Sequence, residues 1–154
     1  HIGVPLEQIC EALKQISEKF STYKIIIPMH PNPQVRQIIQ TALKDIKDIE
    51  LIEPLRYPEF LSYLKNCHVV ITDSGGVQEE AMVLRKPLVV VRKTTERMEA
   101  VDAGYAKLVG VEGAEIVKNI SAILTDQNLY DSMIAQEDLY GDGKAAEKII
   151  SALI

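Results

Sequence analysis

The stretch His68-Val69-Val70-Ile71-Thr72-Asp73-Ser74-Gly75-Gly76-Val77-Gln78-Glu79-Glu80 decides the reading of the fold. A short apolar run passes through a polar turn with two glycines into a segment of helical character, which makes a strand, a turn and a helix in that order. Working towards the N-terminus, Phe60, Leu61 and Leu64 predict a helix over 57–65, and Ile49–Glu53 a short strand before it. Val35, Ile38, Ile39, Ala42, Leu43 and Ile46 predict a further helix over 33–46. Ile25-Ile26-Ile27, ending at Pro28, is apolar at every position and too short for a helix, so it is expected to be a central strand covered on both faces. Leu6, Ile9, Cys10, Leu13, Ile16 and Phe20 recur at helical spacing over 5–20, with Pro5 in the first turn.

Towards the C-terminus the alternation continues with the strand Pro87–Arg92, a polar segment Lys93–Glu99 and a last strand Lys107–Val111. From Ala114 onward only helix faces occur. Parallel strands need crossovers, and helices supply them here, so the chain is expected to be α/β: a three-layer, Rossmann-like domain with a parallel sheet. No repeat or Pro/Gly-rich linker divides residues 1–154, which therefore read as one domain.

Composition narrows the function. The 154 residues carry 17 Lys and Arg against 22 Asp and Glu, a formal charge of −5, which supplies no basic face for nucleic acid. No apolar run reaches the roughly 18–20 residues that cross a bilayer, and no signal-peptide pattern opens the chain. The expectation is a soluble, cytoplasmic domain without membrane contact. Cys10 and Cys67 read as reduced thiols in apolar surroundings.

In an open parallel sheet, ligands bind beyond the carboxyl ends of the strands. The four apolar runs give way in turn to His30-Pro31-Asn32-Pro33, to Glu53-Pro54, to Thr72-Asp73-Ser74-Gly75-Gly76 and to Arg92-Lys93-Thr94-Thr95-Glu96-Arg97. Ser74, Gly75 and Gly76 would let a phosphate approach the first, unsatisfied amides of a helix. They would equally make a capped, tight helix start with no ligand. Glu79 and Glu80 either complement the helix dipole or offer a carboxylate to the hydroxyls of a ribose. Arg92, Lys93 and Arg97 form the dense cationic patch beside a strand end. Arg97 could fork onto phosphate, and Arg92 could pair with a neighbouring carboxylate.

Neither a Gly-x-Gly-x-x-Gly fingerprint nor a Gly-Lys-Ser/Thr phosphate loop is present, which argues against a nicotinamide enzyme and a phosphate-loop ATPase. His1, His30 and His68 are too scattered for a zinc site, so neither metal nor cofactor is expected. A receiver-type phosphoacceptor role for Asp73 fails because Met29-His30 stands where an acidic pair is needed.

Four segments carry a resemblance. His30-Pro31-Asn32-Pro33, Thr72-Asp73-Ser74-Gly75-Gly76-Val77-Gln78-Glu79-Glu80-Ala81, Thr94-Thr95-Glu96-Arg97-Met98-Glu99-Ala100-Val101 and Tyr140-Gly141-Asp142-Gly143 resemble, in order and spacing, the C-terminal half of the non-hydrolysing UDP-N-acetylglucosamine 2-epimerases. The resemblance implies one Rossmann-like half of a two-domain GT-B architecture, with the N-terminal half absent from this chain. It implies that this half grips UDP: Ser74, Gly75 and Gly76 at the diphosphate, Glu80 at the ribose, Arg97 at the nucleotide and Phe60 beside the uracil. Phe60 is equally explained as an apolar helix position.

The family's catalytic-cleft histidine matches His1 if a short stretch is missing after it, and a leftover tag histidine is the other reading. His30 matches a position of the family's second, regulatory UDP-sugar site, and also reads simply as a turn histidine between prolines. Met98 and Leu139 stand where the family usually has proline, so the backbone there lacks that constraint. The implied reaction interconverts UDP-GlcNAc and UDP-ManNAc by elimination and return of UDP, in a protein that is a homodimer at full length and serves polysaccharide biosynthesis. Its acid/base carboxylates lie in the other half, so this chain alone is expected to lack turnover. A GT-B glycosyltransferase, a hydrolysing epimerase and a non-enzymatic UDP-sugar sensor are the rival readings.

Overall fold

The computed structural model describes residues 3–153. The elements run α1 (Val4–Lys19), β1 (Ile25–Pro28), α2 (Pro33–Leu43), β2 (Ile49–Ile52), α3 (Tyr57–Asn66), β3 (Val70–Thr72), α4 (Gly75–Val83), β4 (Leu88–Val90), α5 (Met98–Asp102), β5 (Ala106–Leu108), α6 (Gly113–Thr125), α7 (Gln127–Ser132) and α8 (Ala145–Leu153). Every ladder is parallel: β1 with β2, and β3 with β4 with β5. Each crossover is helical, as parallel pairing of sequential strands demands.

Three layers result from how β4 is buried. Leu88, Val89 and Val90 are fully buried, and their side chains alternate between two cores. Val89 joins Ile9, Leu13, Ile16, Ile39, Leu43, Ile116, Ile120 and Ile123 from α1, α2 and α6. Leu88 and Val90 join Leu64, Ala81, Met82 and Ala100 from α3, α4 and α5. A strand flanked on both edges and apolar on both faces is the physical centre of such a sheet, and full burial of each of these side chains contributes about 1.5–3 kcal/mol.

That finding corrects the expectation for Ile25–Ile27. Among the described residues β1 pairs only with β2, and its burial alternates. Ile25 and Ile27 face the first core, whereas Ile26 belongs to neither and is 39% exposed. Three consecutive isoleucines fix a strand but not which of its faces is covered.

Smaller differences lie at the ends of elements. Helix α2 stops at Leu43 rather than 46, although Ile46 still packs on the first core. Helix α5 arises in a segment whose start reads as merely polar, being too short to show a period; Met98 opens it without proline. Cys10 is buried and Cys67 half-buried, both as free thiols, with burial pushing each thiol's pKa up. Among the described residues, no helix is long and apolar enough to cross a membrane.

Candidate functional site

The loops after β1, β2, β3 and β4 leave one edge of the strands, and the site is built on the third and fourth. Helix α4 begins on Gly75 itself, with Ser74 in extended conformation as its N-cap. Among the described residues no side chain caps this end. The Ser74 hydroxyl makes no cap bond, and Thr72 Oγ1 instead accepts the Ser74 amide at 3.1 Å. The first backbone bond of α4 runs from Gln78 N to Ser74 O at 3.2 Å, so the amides of Gly75 and Gly76 remain outward donors. Ser74 thus occupies the N-cap position without a side-chain cap bond, and the first amides of α4 are left as open donors.

Neither glycine has left-handed backbone, and a Cβ on Gly76 would meet open space. A Cβ on Gly75 would come 3.7 Å from Arg97 Cζ and 3.8 Å from its Nη2. The fold itself thus tolerates a side chain at both positions. What the glycines leave clear is the approach to the helix end, and the guanidinium of Arg97 stands over it.

Arg97 reaches this point from the loop after β4. Its Nε donates to Glu79 Oε1 at 2.6 Å and its backbone amide to Thr95 Oγ1 at 3.1 Å. The bond to Glu79 pushes the pKa of Arg97 up, so the side chain stays cationic throughout the accessible range. Arg92, by contrast, pairs with Glu96 at 3.2 Å, four residues on. Lys93 is exposed, and together with Arg92, Thr94, Val4, Gln8 and Glu112 it lines a cleft of about 480 Å³ between the start of α1 and this loop.

The first turn of α4 carries no acid, so Glu79 and Glu80 do not serve its dipole. Successive helix positions point about 100° apart, and the two carboxylates have separate partners. Glu79 holds Arg97. Glu80 lies near the Tyr57 hydroxyl at the start of α3 and pushes its pKa up. Phe60 sits one turn along α3, half-buried against the second core. Ser74, Gly75, Gly76 and Arg97 thereby meet at one helix end, and Glu80 lies further along α4 on the side of α3.

His30 is not part of that group. It is exposed after β1, and its Nδ1 accepts the Asn32 amide at 3.0 Å within its own turn. His1 lies outside the described residues.

Four side chains at the site carry no functional assignment from the sequence: Gln78, Thr95, Tyr57 and Tyr140. Thr95 Oγ1 donates to Gln78 Oε1 at 2.8 Å in the interior. The Tyr140 hydroxyl is buried without a partner among the described residues, and burial pushes its pKa up, with Glu99 next in effect. Tyr57 has no signal in the sequence. Glu79 does have one: it lies four residues after Gly75, on the same helix face as the turn.

A parallel α/β layer with an open helix N-terminus beside the Arg97 guanidinium, at the carboxyl edge of its strands, has the Rossmann-like layout in which ligands bind beyond the strand ends. Residues 2–154 match the family described as UDP-N-acetylglucosamine 2-epimerase, and the chain belongs to it. A UDP-N-acetylglucosamine 2-epimerase from Campylobacter jejuni is 46% identical over 154 residues, all of this chain and 40% of that protein. Its counterpart from Escherichia coli strain K12 is 41% identical over 151 residues, which are 98% of this chain and 40% of that protein.

Among solved structures, Neisseria meningitidis UDP-GlcNAc 2-epimerase bound to UDP-GlcNAc superposes with a TM-score of 0.93 at 38% identity, covering 98% of this chain and 41% of that one. S. aureus MnaA with UDP also gives 0.93 at 38% identity, covering 99% and 42%. The chain thus spans about two-fifths of the length of these relatives.

Proposed function

We propose that residues 1–154 are a single UDP-binding domain, the C-terminal half of a two-domain enzyme that interconverts UDP-GlcNAc and UDP-ManNAc. The observation that carries this reading is the Arg97 guanidinium standing over the Gly75 turn, at the uncapped start of α4. In it, the amides of Gly75 and Gly76, the Ser74 hydroxyl and Arg97 take the diphosphate. Glu80 accepts hydrogen bonds from the ribose hydroxyls, and Phe60 packs near the uracil. Membership of the family and the nucleotide named in two of the similar structures support the choice of UDP.

The chemistry is dictated by charge. As the bond from the anomeric carbon to the diphosphate oxygen breaks, its electron pair stays with UDP and negative charge grows on that oxygen. Donors aimed there stabilise the separating state more than the bound substrate. The sugar, having lost UDP and a proton from carbon 2, is a glycal-like intermediate. Return of UDP, with the proton added on the opposite face, gives the other epimer. In this reading the C-terminal half is the leaving-group clamp, and the proton-transferring carboxylates belong to the N-terminal half. His1 would stand at the catalytic cleft and His30 at a regulatory UDP-sugar site. A homodimeric assembly and a cytoplasmic location belong to the same reading.

Calorimetric titration of UDP into the 154-residue chain tests it. Saturable binding that is lost in Arg97→Ala is expected, together with the absence of epimerisation when UDP-GlcNAc is monitored by NMR. A chain that ignores UDP, or one that turns over alone, would overturn the assignment.

A further inference from the structure

Arg97 is a long, flexible side chain, 34% exposed, whose free rotamers would leave its charge in solvent. One contact restrains the side chain and another the backbone that carries it. Thr95 Oγ1 accepts the Arg97 amide at 3.1 Å, and Glu79 Oε1 accepts from Nε at 2.6 Å. Both contacts trace back to α4. Glu79 belongs to it, and Thr95 is held at 2.8 Å by its neighbour Gln78, only 1% exposed. The helix that supplies the open amides therefore also fixes the height and direction of the guanidinium above them.

Two further observations favour a positioning role over a stabilising one. The Glu79 and Arg97 side chains are 41% and 34% exposed, and ion pairs so open to water add at most about 1 kcal/mol to stability. Gln78 Nε2 is buried with no partner among the described residues, a loss of about 1–3 kcal/mol. The Gln78 amide is thus tied to Thr95 through one of its two polar atoms alone.

We propose that Glu79 and Thr95, the latter set by Gln78, are positioning residues: they present the Nη pair of Arg97 to a nucleoside diphosphate above the Gly75 turn. The inference rests on the UDP reading above and adds the groups that make its arginine effective. Glu79 is not a ligand in this scheme, since a carboxylate facing a diphosphate repels it. Taking the Nε edge, it leaves the Nη edge for the phosphate oxygens, in the bidentate geometry that arginine favours.

UDP and uridine are titrated into the 154-residue chain and its variants, with the thermal transition of each recorded as a check of folding. Glu79→Ala is expected to weaken UDP about tenfold, the size of coupling seen between contacting residues, while uridine, lacking phosphates, is unchanged. Glu79→Gln still offers an oxygen to Nε and recovers most of the loss. Thr95→Ser behaves as the parent, whereas Thr95→Val behaves as Glu79→Ala. In an Arg97→Ala background, Glu79→Ala has no further effect. Unchanged or tighter UDP binding in Glu79→Ala, or an equal loss for uridine or without Arg97, overturns the positioning role while leaving UDP binding intact. Failure of the parent chain to bind UDP overturns the nucleotide reading and this inference together.

Discussion

The guanidinium carbon of Arg97 stands 3.7 Å from the place where a Cβ on Gly75 would sit, an ordinary van der Waals distance. Nothing in the fold therefore forbids a methyl group there, and the glycine is explained by what must come between the helix end and the arginine. Gly75 opens α4, so alanine would also lower the entropy lost on folding.

Gly75→Ala is accordingly expected to fold with unchanged or higher stability, by up to about 1 kcal/mol, yet to lose at least about tenfold in UDP affinity. Thermal denaturation and calorimetric titration on the same sample check both halves. A destabilised Gly75→Ala with normal UDP affinity would assign the glycine to folding instead.

Arg97→Lys separates charge from shape. Lysine keeps the positive charge but has no Nε for Glu79 and no planar fork for two phosphate oxygens. UDP affinity is expected to fall by about tenfold, one charge-assisted hydrogen bond's worth, and the dependence on ionic strength to persist. Titrations at two salt concentrations check this; full retention of affinity would mean that bulk charge alone suffices.

The architecture could be read from the sequence because alternation of helix periods with short apolar runs leaves few topologies, and the four polar segments fell on one edge as parallel pairing requires. The site was harder. Ser74, Gly75, Gly76 and Arg97 were visible as residue types, but that a guanidinium lies over a glycine is a tertiary fact. Helical spacing puts Glu79 and Glu80 on different faces of α4, but that Glu79 is the one meeting Arg97 is again a tertiary fact. Likewise Gln78 and Thr95 meet in the interior from different elements, a pairing that no local pattern encodes.

Ile26 and Leu88 test which strand is covered on both faces. Leu88→Ala removes a fully buried side chain between two covered faces and is expected to cost about 2–5 kcal/mol. Ile26→Ala, at 39% exposure, is expected to cost less than about 1.5 kcal/mol. Urea denaturation of the two variants decides the matter. Equal costs would restore β1 as a doubly covered strand.

His68 predicts a pH dependence. Its ring stacks on Tyr130 at 4.2 Å between centroids, with Tyr23 at 5.4 Å on the same cluster. Desolvation beside these rings, then the nearby Lys86 charge, push its pKa down. A histidine that prefers to be neutral when folded takes up its proton more readily when unfolded. Its stabilising effect is complete above the unfolded value of about 6.5 and is lost as pH falls from there through the lower folded value. Melting temperature is expected to drop between pH 7.5 and 5.5, and His68→Phe, which keeps an aromatic ring, should flatten that drop. An identical drop in the variant would place the dependence elsewhere.

Arg85 supplies the last test, because its backbone and side chain act in opposite directions. It comes just after the end of α4 with φ 56°, a left-handed conformation that a Cβ disfavours by roughly 1–2 kcal/mol. Its guanidinium offsets this by donating to the Ala135 carbonyl and lying 3.7 Å from Asp138, so that it ties down the segment leading to Tyr140. Arg85→Gly loses the tie but relieves the backbone, whereas Arg85→Ala loses the tie and keeps the strain. The alanine variant is therefore expected to be the less stable of the two by about 1 kcal/mol. Both should show faster amide exchange over 135–140 than the parent. Chemical denaturation ranks the pair and hydrogen exchange reads the segment. Equal stability of the two variants would mean that the left-handed turn relaxes once the arginine no longer holds it.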